Sequence, residues 1–158
     1  MKLLPLHWKP QKKNRKMQIA IVVPCYNEEP VLSATNEVLL SVCEKLKADQ
    51  AVDTRILYVD DGSSDSTWDL IETYSQKNRR VGGLKLAHNV GHQRALWAGL
   101  DWAAHHADAA ISIDADLKLF MKWFSVFLRE KILFMVFAML VKLTHGLSVQ
   151  RHKHFIKW

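Results

Sequence analysis

Four short apolar segments punctuate the chain before residue 117, and a helical pattern separates each from the next. "QIAIVVP" (Gln18–Pro24) is β-branched, short and stopped by proline, the mark of a buried strand. Val31, Leu32, Val38, Leu39, Val42 and Leu46 then recur at three- and four-residue spacing, which gives a helix one apolar face. "RILYVD" (Arg55–Asp60) predicts a second strand. Ser64 or Asp65 can cap a second helix carrying Trp68, Ile71 and Tyr74. "VGGLKLA" (Val81–Ala87) reads as a weaker, glycine-loosened strand, "GHQRALWAGLDWAAHH" (Gly91–His106) as a third helix and "DAAISIDAD" (Asp108–Asp116) as a fourth strand.

This alternation leaves few folds open. Strand and helix in strict turn imply right-handed crossovers and a mainly parallel sheet flanked by helices, an α/β class. In such open sheets ligands bind beyond the carboxyl ends of the strands. Three of the four strands end in polar clusters, "CYNEE", "DDGSSD" and "DAD". All three are expected on one rim, where they would line a binding crevice.

A chain of 158 residues is one domain by the usual prior and long enough to bury a core. Cys25 and Cys43 are too few for a disulfide framework and point to a reduced, cytoplasmic setting. The basic start "MKLLPLHWKPQKKNRK" has no apolar stretch of signal-peptide length, and Met17 looks like a natural start, which makes residues 1–16 a basic N-terminal extension. The net charge of +6 hides three blocks. The first sixteen residues carry only basic charges. Residues 17–117 carry eight Lys/Arg against fifteen Asp/Glu, and residues 118–158 carry eight against Glu130 alone. Basic ends can touch anionic lipid or nucleic acid, or be solvated tails. The acidic rim and the lack of an aromatic–basic recognition motif argue against nucleic acid.

After Leu117 the strand–helix rhythm stops at the point where the charge flips. The longest apolar run there, Ile132–Val141, is short of the roughly 20 residues a membrane-spanning helix needs. Residues 118–158 are therefore expected to be a basic, apolar tail that does not match the fold, the product of a frameshift. The alternative is a membrane anchor lying in the interface.

On the rim, Asp114 and Asp116 can reach one cation where the strand end curls. Mg²⁺ and Mn²⁺ want such hard oxygen ligands, and Mg²⁺ commonly takes substrate phosphates as the others. Solvated, helix-capping acids are the competing reading. Asp60 and Asp61 can accept hydrogen bonds from a base N–H or a ribose hydroxyl, whereas capping explains Asp65 well. Tyr26 can stack on a base, or simply turn the chain into the helix. The amides at Gly91 are placed to face an anion. His88 and His92 read as loop histidines, since no third ligand sits at zinc-like spacing. Trp97 and Trp102 read as core, and Cys25 as inert.

Taken together, "IVVPCYNEEPVL", "YVDDGSSDST", "HNVGHQRALWAGLDWA" and "ISIDADL" resemble the successive motifs of glycosyltransferase family 2. The wording "NVGHQ" is most similar to the polyprenyl-phosphate glycosyltransferases, the bactoprenol glucosyl and dolichol-phosphate mannosyl enzymes. The resemblance covers about residues 17–117. It implies an incomplete GT-A-type fold binding a nucleotide sugar, with a UDP-sugar favoured. Pro24, Tyr26, Glu28 and Asp60 would hold base and ribose, and Asp114 would join the nucleotide contacts. Asp114 and Asp116 would carry the metal, Mg²⁺ or Mn²⁺. The acceptor implied is a polyprenyl phosphate at the cytoplasmic membrane face, where the protein would sit peripherally; a homo-oligomer stays open. The family subgroup continues "DADLQ", whereas Lys118 stands at the Gln position here. No acceptor-side catalytic residue is identified in the matched region. The alternative function is an inactive remnant that at most binds the nucleotide sugar.

Overall fold

The computed structural model describes residues 2–3, 16–50 and 52–116. The expectations for residues 118–158, and for most of the N-terminal extension, lie outside the described residues.

The elements are β1 (Lys2–Leu3), β2 (Gln18–Cys25), α1 (Glu29–Gln50), β3 (Asp53–Asp60), α2 (Thr67–Lys77), β4 (Val81–Lys85), α3 (His92–His106) and β5 (Ala109–Ser112). They form one sheet in the order β1-β4-β3-β2-β5. The four strands β4, β3, β2 and β5 are parallel, and β1 runs antiparallel to β4. The register pairs Cys25 with Asp60 and Val22 with Ser112, so the three polar clusters do share one edge of the sheet.

Each face of the sheet has its own core. Ile21, Val23, Ile56 and Tyr58 pack on one face with Leu32, Leu39 and Cys43 of α1 and Trp68 and Ile71 of α2. Ala20, Val22, Leu57 and Val59 pack on the other with Ala95 and Ala103 of α3. The chain steps outward from β2 to β3 to β4, then returns past both to place β5 on the far side of β2. A right-handed crossover in the reversed direction requires its helix on the opposite face, which is where α3 lies. Gly99 lets α3 come that close. A Cβ there would meet Val22 Cγ1 and lie 2.8 Å from Val59 Cγ2.

Two expectations change. The fourth strand is shorter than predicted, because Asp114 and Asp116 lie in the turn beyond it. Trp97 is 64% exposed and is not core; only Trp102 packs against the α3-side cluster. Its i+5 offset from Trp97 carries one of the two off the buried stripe of Ala95, Gly99 and Ala103. No described helix is long and apolar enough to cross a membrane.

Candidate active site

The order of strands reverses at β2, so the crevice of an open α/β sheet is expected where β2 and β5 part. Pro24 is what parts them. The Val22 carbonyl still accepts a hydrogen bond from the Ile113 amide at 3.0 Å. Two residues on, Pro24 faces the same side of β2 and has no N–H to give. On the other side the ladder with β3 continues through Cys25, whose carbonyl accepts from the Asp61 amide at 2.8 Å.

An open recess of about 310 Å³ occupies the gap, lined by Pro24, Glu28, His92, Asp114, Ala115 and Asp116. The "DAD" turn is set by its middle residue. Ala115 is 2% exposed, packs into the α1-side core, and its carbonyl accepts a hydrogen bond from the buried Thr35 hydroxyl of α1. With Ala115 tucked in, the exposed carboxylates on either side of it both face the recess. A second recess of about 150 Å³ adjoins it, with Tyr26, Asp61, Asn89 and Gly91 in its wall and Pro24, Glu28 and His92 common to both. Tyr26 is 48% exposed there.

The two aspartates that end β3 have different partners. Asp60 is fully buried; its Oδ1 accepts from the Ser63 amide at 3.1 Å, and its Oδ2 has no hydrogen-bond partner among the described residues. Asp61 uses both oxygens, accepting from the Val90 amide at 2.8 Å and the Gly91 amide at 2.9 Å. The anion expected at the start of α3 is thus a side chain of the protein itself. Gly62 follows at φ +72°, a conformation costly for other residues. A Cβ there would also lie 2.6 Å from the Asn89 nitrogen.

Most of the remaining polar residues stitch the β2 and β3 loops together. The Asn27 amide donates to Ser63 Oγ at 2.9 Å, and Asn27 Oδ1 accepts from the Ser64 amide at 2.9 Å. The Glu28 amide donates to Thr67 Oγ1 at 2.8 Å. The Glu29 amide donates to Asp65, and Glu29 Oε2 accepts from the Ser66 amide. Ser66 sits at the N-cap of α2 without a side-chain cap, and Asp65 Oδ1 accepts from the Thr67 amide instead. Partial burial works against ionisation of Asp65, yet the bonds from Thr67 and Glu29 hold its carboxyl below the usual range.

Cys25 is buried, and burial together with the charges of Glu28, Asp60 and Asp65 pushes its thiol well up, which makes it the inert residue expected. His92, read from sequence as a loop histidine, is the first residue of α3. Its Nε2 lies 3.8 Å from Asp114 Oδ1 across the recess. The i, i+4 spacing of His88 and His92 carries no hint of that proximity, which depends on β5 returning to β2.

Curated proteins similar to this chain in sequence are glycosyltransferases. The chain is 50% identical over 108 residues to the uncharacterized glycosyltransferase YkoT of Bacillus subtilis, covering 67% of this chain and 32% of that protein. It is 33% identical over 102 residues to the bactoprenol glucosyl transferase of Shigella phage SfV, covering 65% of this chain and 31% of that one. The chain thus spans about a third of the length of these relatives. In structure it is similar to Staphylococcus aureus TarS, with a TM-score of 0.50, 24% identity, and coverage of 72% of this chain and 20% of that one. The profile of Glycosyl transferase family 2 matches residues 20–131, and the chain belongs to that family.

Proposed function

We propose that the crevice binds a nucleoside diphospho-sugar, with a UDP-sugar favoured, and that the chain supplies the donor side of an inverting transfer to a polyprenyl phosphate. The observation that carries this reading is the pair of adjoining recesses at the strand ends, one lined by Asp114 and Asp116 and the other by Tyr26 and Asp61. Asp60, which lines neither, ends β3 beside Asp61 with one oxygen unpartnered among the described residues. A buried carboxylate oxygen without a partner is costly, and a base N–H or ribose hydroxyl would satisfy it. Pro24, Tyr26 and Glu28 form the adjoining wall, with Tyr26 exposed enough to stack.

Asp114 and Asp116 would hold Mg²⁺ or Mn²⁺. Their donor set fits: both carboxylates offer hard oxygens to one recess. The remaining ligands would be phosphate and water. Such a cation, when bound, would neutralise charge on the departing diphosphate. In the transfer, an acceptor phosphate oxygen attacks the anomeric carbon opposite the leaving group. The new C–O bond forms as the bond to the diphosphate oxygen breaks, and that electron pair leaves with the nucleoside diphosphate. An ionised phosphate needs little help from a general base, so the protein's task is alignment. The bactoprenol glucosyl transferases among the relatives support a polyprenyl acceptor.

Calorimetric titration of UDP and of GDP, with Mn²⁺ and with chelator, tests the donor site. Asp116→Ala is expected to lower the metal-dependent affinity at least about tenfold, the worth of one charge-assisted contact. Equal affinities with metal, with chelator and in the variant overturn the metal role. Transfer of labelled sugar to polyprenyl phosphate separates turnover from binding alone.

A further inference from the structure

We infer that His92 is a diphosphate contact, holding the bridge between the two halves of the donor; this rests on the reading of the crevice as a nucleotide-sugar site. The two recesses share a border made of Pro24, Glu28 and His92. On one side of that border stand Asp114 and Asp116, and on the other Tyr26, Asp61 and Asn89. A nucleoside diphospho-sugar has the same order of parts: nucleoside, two phosphates, sugar. If the nucleoside lies in the smaller recess and the cation in the larger, the diphosphate crosses the border.

Of the three residues there, Pro24 has no hydrogen to donate and the Glu28 carboxylate repels phosphate. His92 is the remaining side chain, and it donates from a ring N–H whether neutral or protonated. Its Nε2 is 3.8 Å from Asp114 Oδ1, beyond hydrogen-bonding distance, so the carboxylate does not consume it. The ring is well presented. Asp61 clamps the Val90 and Gly91 amides immediately before it, and Ala95, one turn on, is buried against the sheet. His92 therefore projects from a fixed helix start, with 59% of its side chain exposed.

The test compares a nucleoside diphosphate with its nucleoside. Wild type, His92→Ala and His92→Gln are titrated with UDP and uridine, and with GDP and guanosine, each with Mg²⁺ and with chelator. His92→Ala is expected to weaken the diphosphate about tenfold and leave the nucleoside unchanged. His92→Gln, which keeps a donor, should recover part of the loss. The loss should persist in chelator. Melting temperatures of the variants should match wild type, since the side chain is exposed. Equal diphosphate affinity in wild type and His92→Ala overturns the inference and leaves the donor site standing. A loss shared by the nucleoside, or one that vanishes in chelator, makes His92 a base contact or a metal ligand and also overturns it. Failure of wild type to bind any of the four compounds overturns the site reading together with the inference.

Discussion

Among the described residues Asp60 keeps one oxygen of a buried carboxylate unpaired, whereas Asp61 gives both of its oxygens to the amides of Val90 and Gly91. Their replacements by asparagine should diverge accordingly. In Asp61→Asn an amide group faces an N–H donor, and the stability lost should be about 1–3 kcal/mol in a denaturant titration. Asp60→Asn trades the unpaired oxygen for an unpaired amide NH2 but removes a buried charge, so it should cost less stability than Asp61→Asn, while nucleotide affinity falls. A doublet of identical letters could not be split from sequence, because the split depends on where residues 88–91 come to lie. The thiols make a second case. Burial raises both, Cys43 to about 12 with Arg80 partly opposing, and Cys25 well above its ordinary value. A group whose native value is raised contributes stability that is complete below the unfolded value, near 8.5, and is lost as pH rises through the native one. Stability should therefore fall between about pH 8.5 and 12 as the unfolded chain ionises. Iodoacetamide should label neither thiol until the chain is unfolded; rapid labelling of the native protein refutes this.

The helices and strands were legible because their periods are clean, and their ends were not. The strand predicted to end at Asp116 stops at Ser112, because the last residues are held by Ala115 packing and by Thr35 on α1 rather than by a ladder. That latch joins residues eighty positions apart, and no local pattern announces it. The tryptophans of α3 mislead for a related reason. Large side chains suggest a core face, yet the stripe against the sheet is made of the small residues Ala95, Gly99 and Ala103. The close fit of α3 makes Gly99 decisive. Alanine gains about 1 kcal/mol of helix propensity, but its Cβ collides with Val22 and Val59, and overpacking costs about 1–3 kcal/mol. Gly99→Ala should be destabilising in thermal melts despite its better propensity; a raised melting temperature would show that the sheet yields freely.

At the scale of the whole molecule, the motifs in their order predicted both the family and the rim, but not the order of strands that brings the rim together. Alternation alone is satisfied by several parallel arrangements; the reversal at β2 is a tertiary fact. It places β5 beside the first long strand, with Ile19 against Ala109, across a sequence gap that includes every helix described. Pairing β2 with β3 and β3 with β4 closes much shorter loops. Because closure entropy must be met before distant contacts reward it, β5 is the strand expected to join late. The wall carrying Tyr26 and Asp61, built on β2, β3 and their stitched loops, then matures before the wall carrying Asp114 and Asp116 exists. If the crevice takes the proposed donor, affinity for the whole of it would be acquired only when β5 joins, and a bound donor would act as a clasp on the described strand that pairs latest.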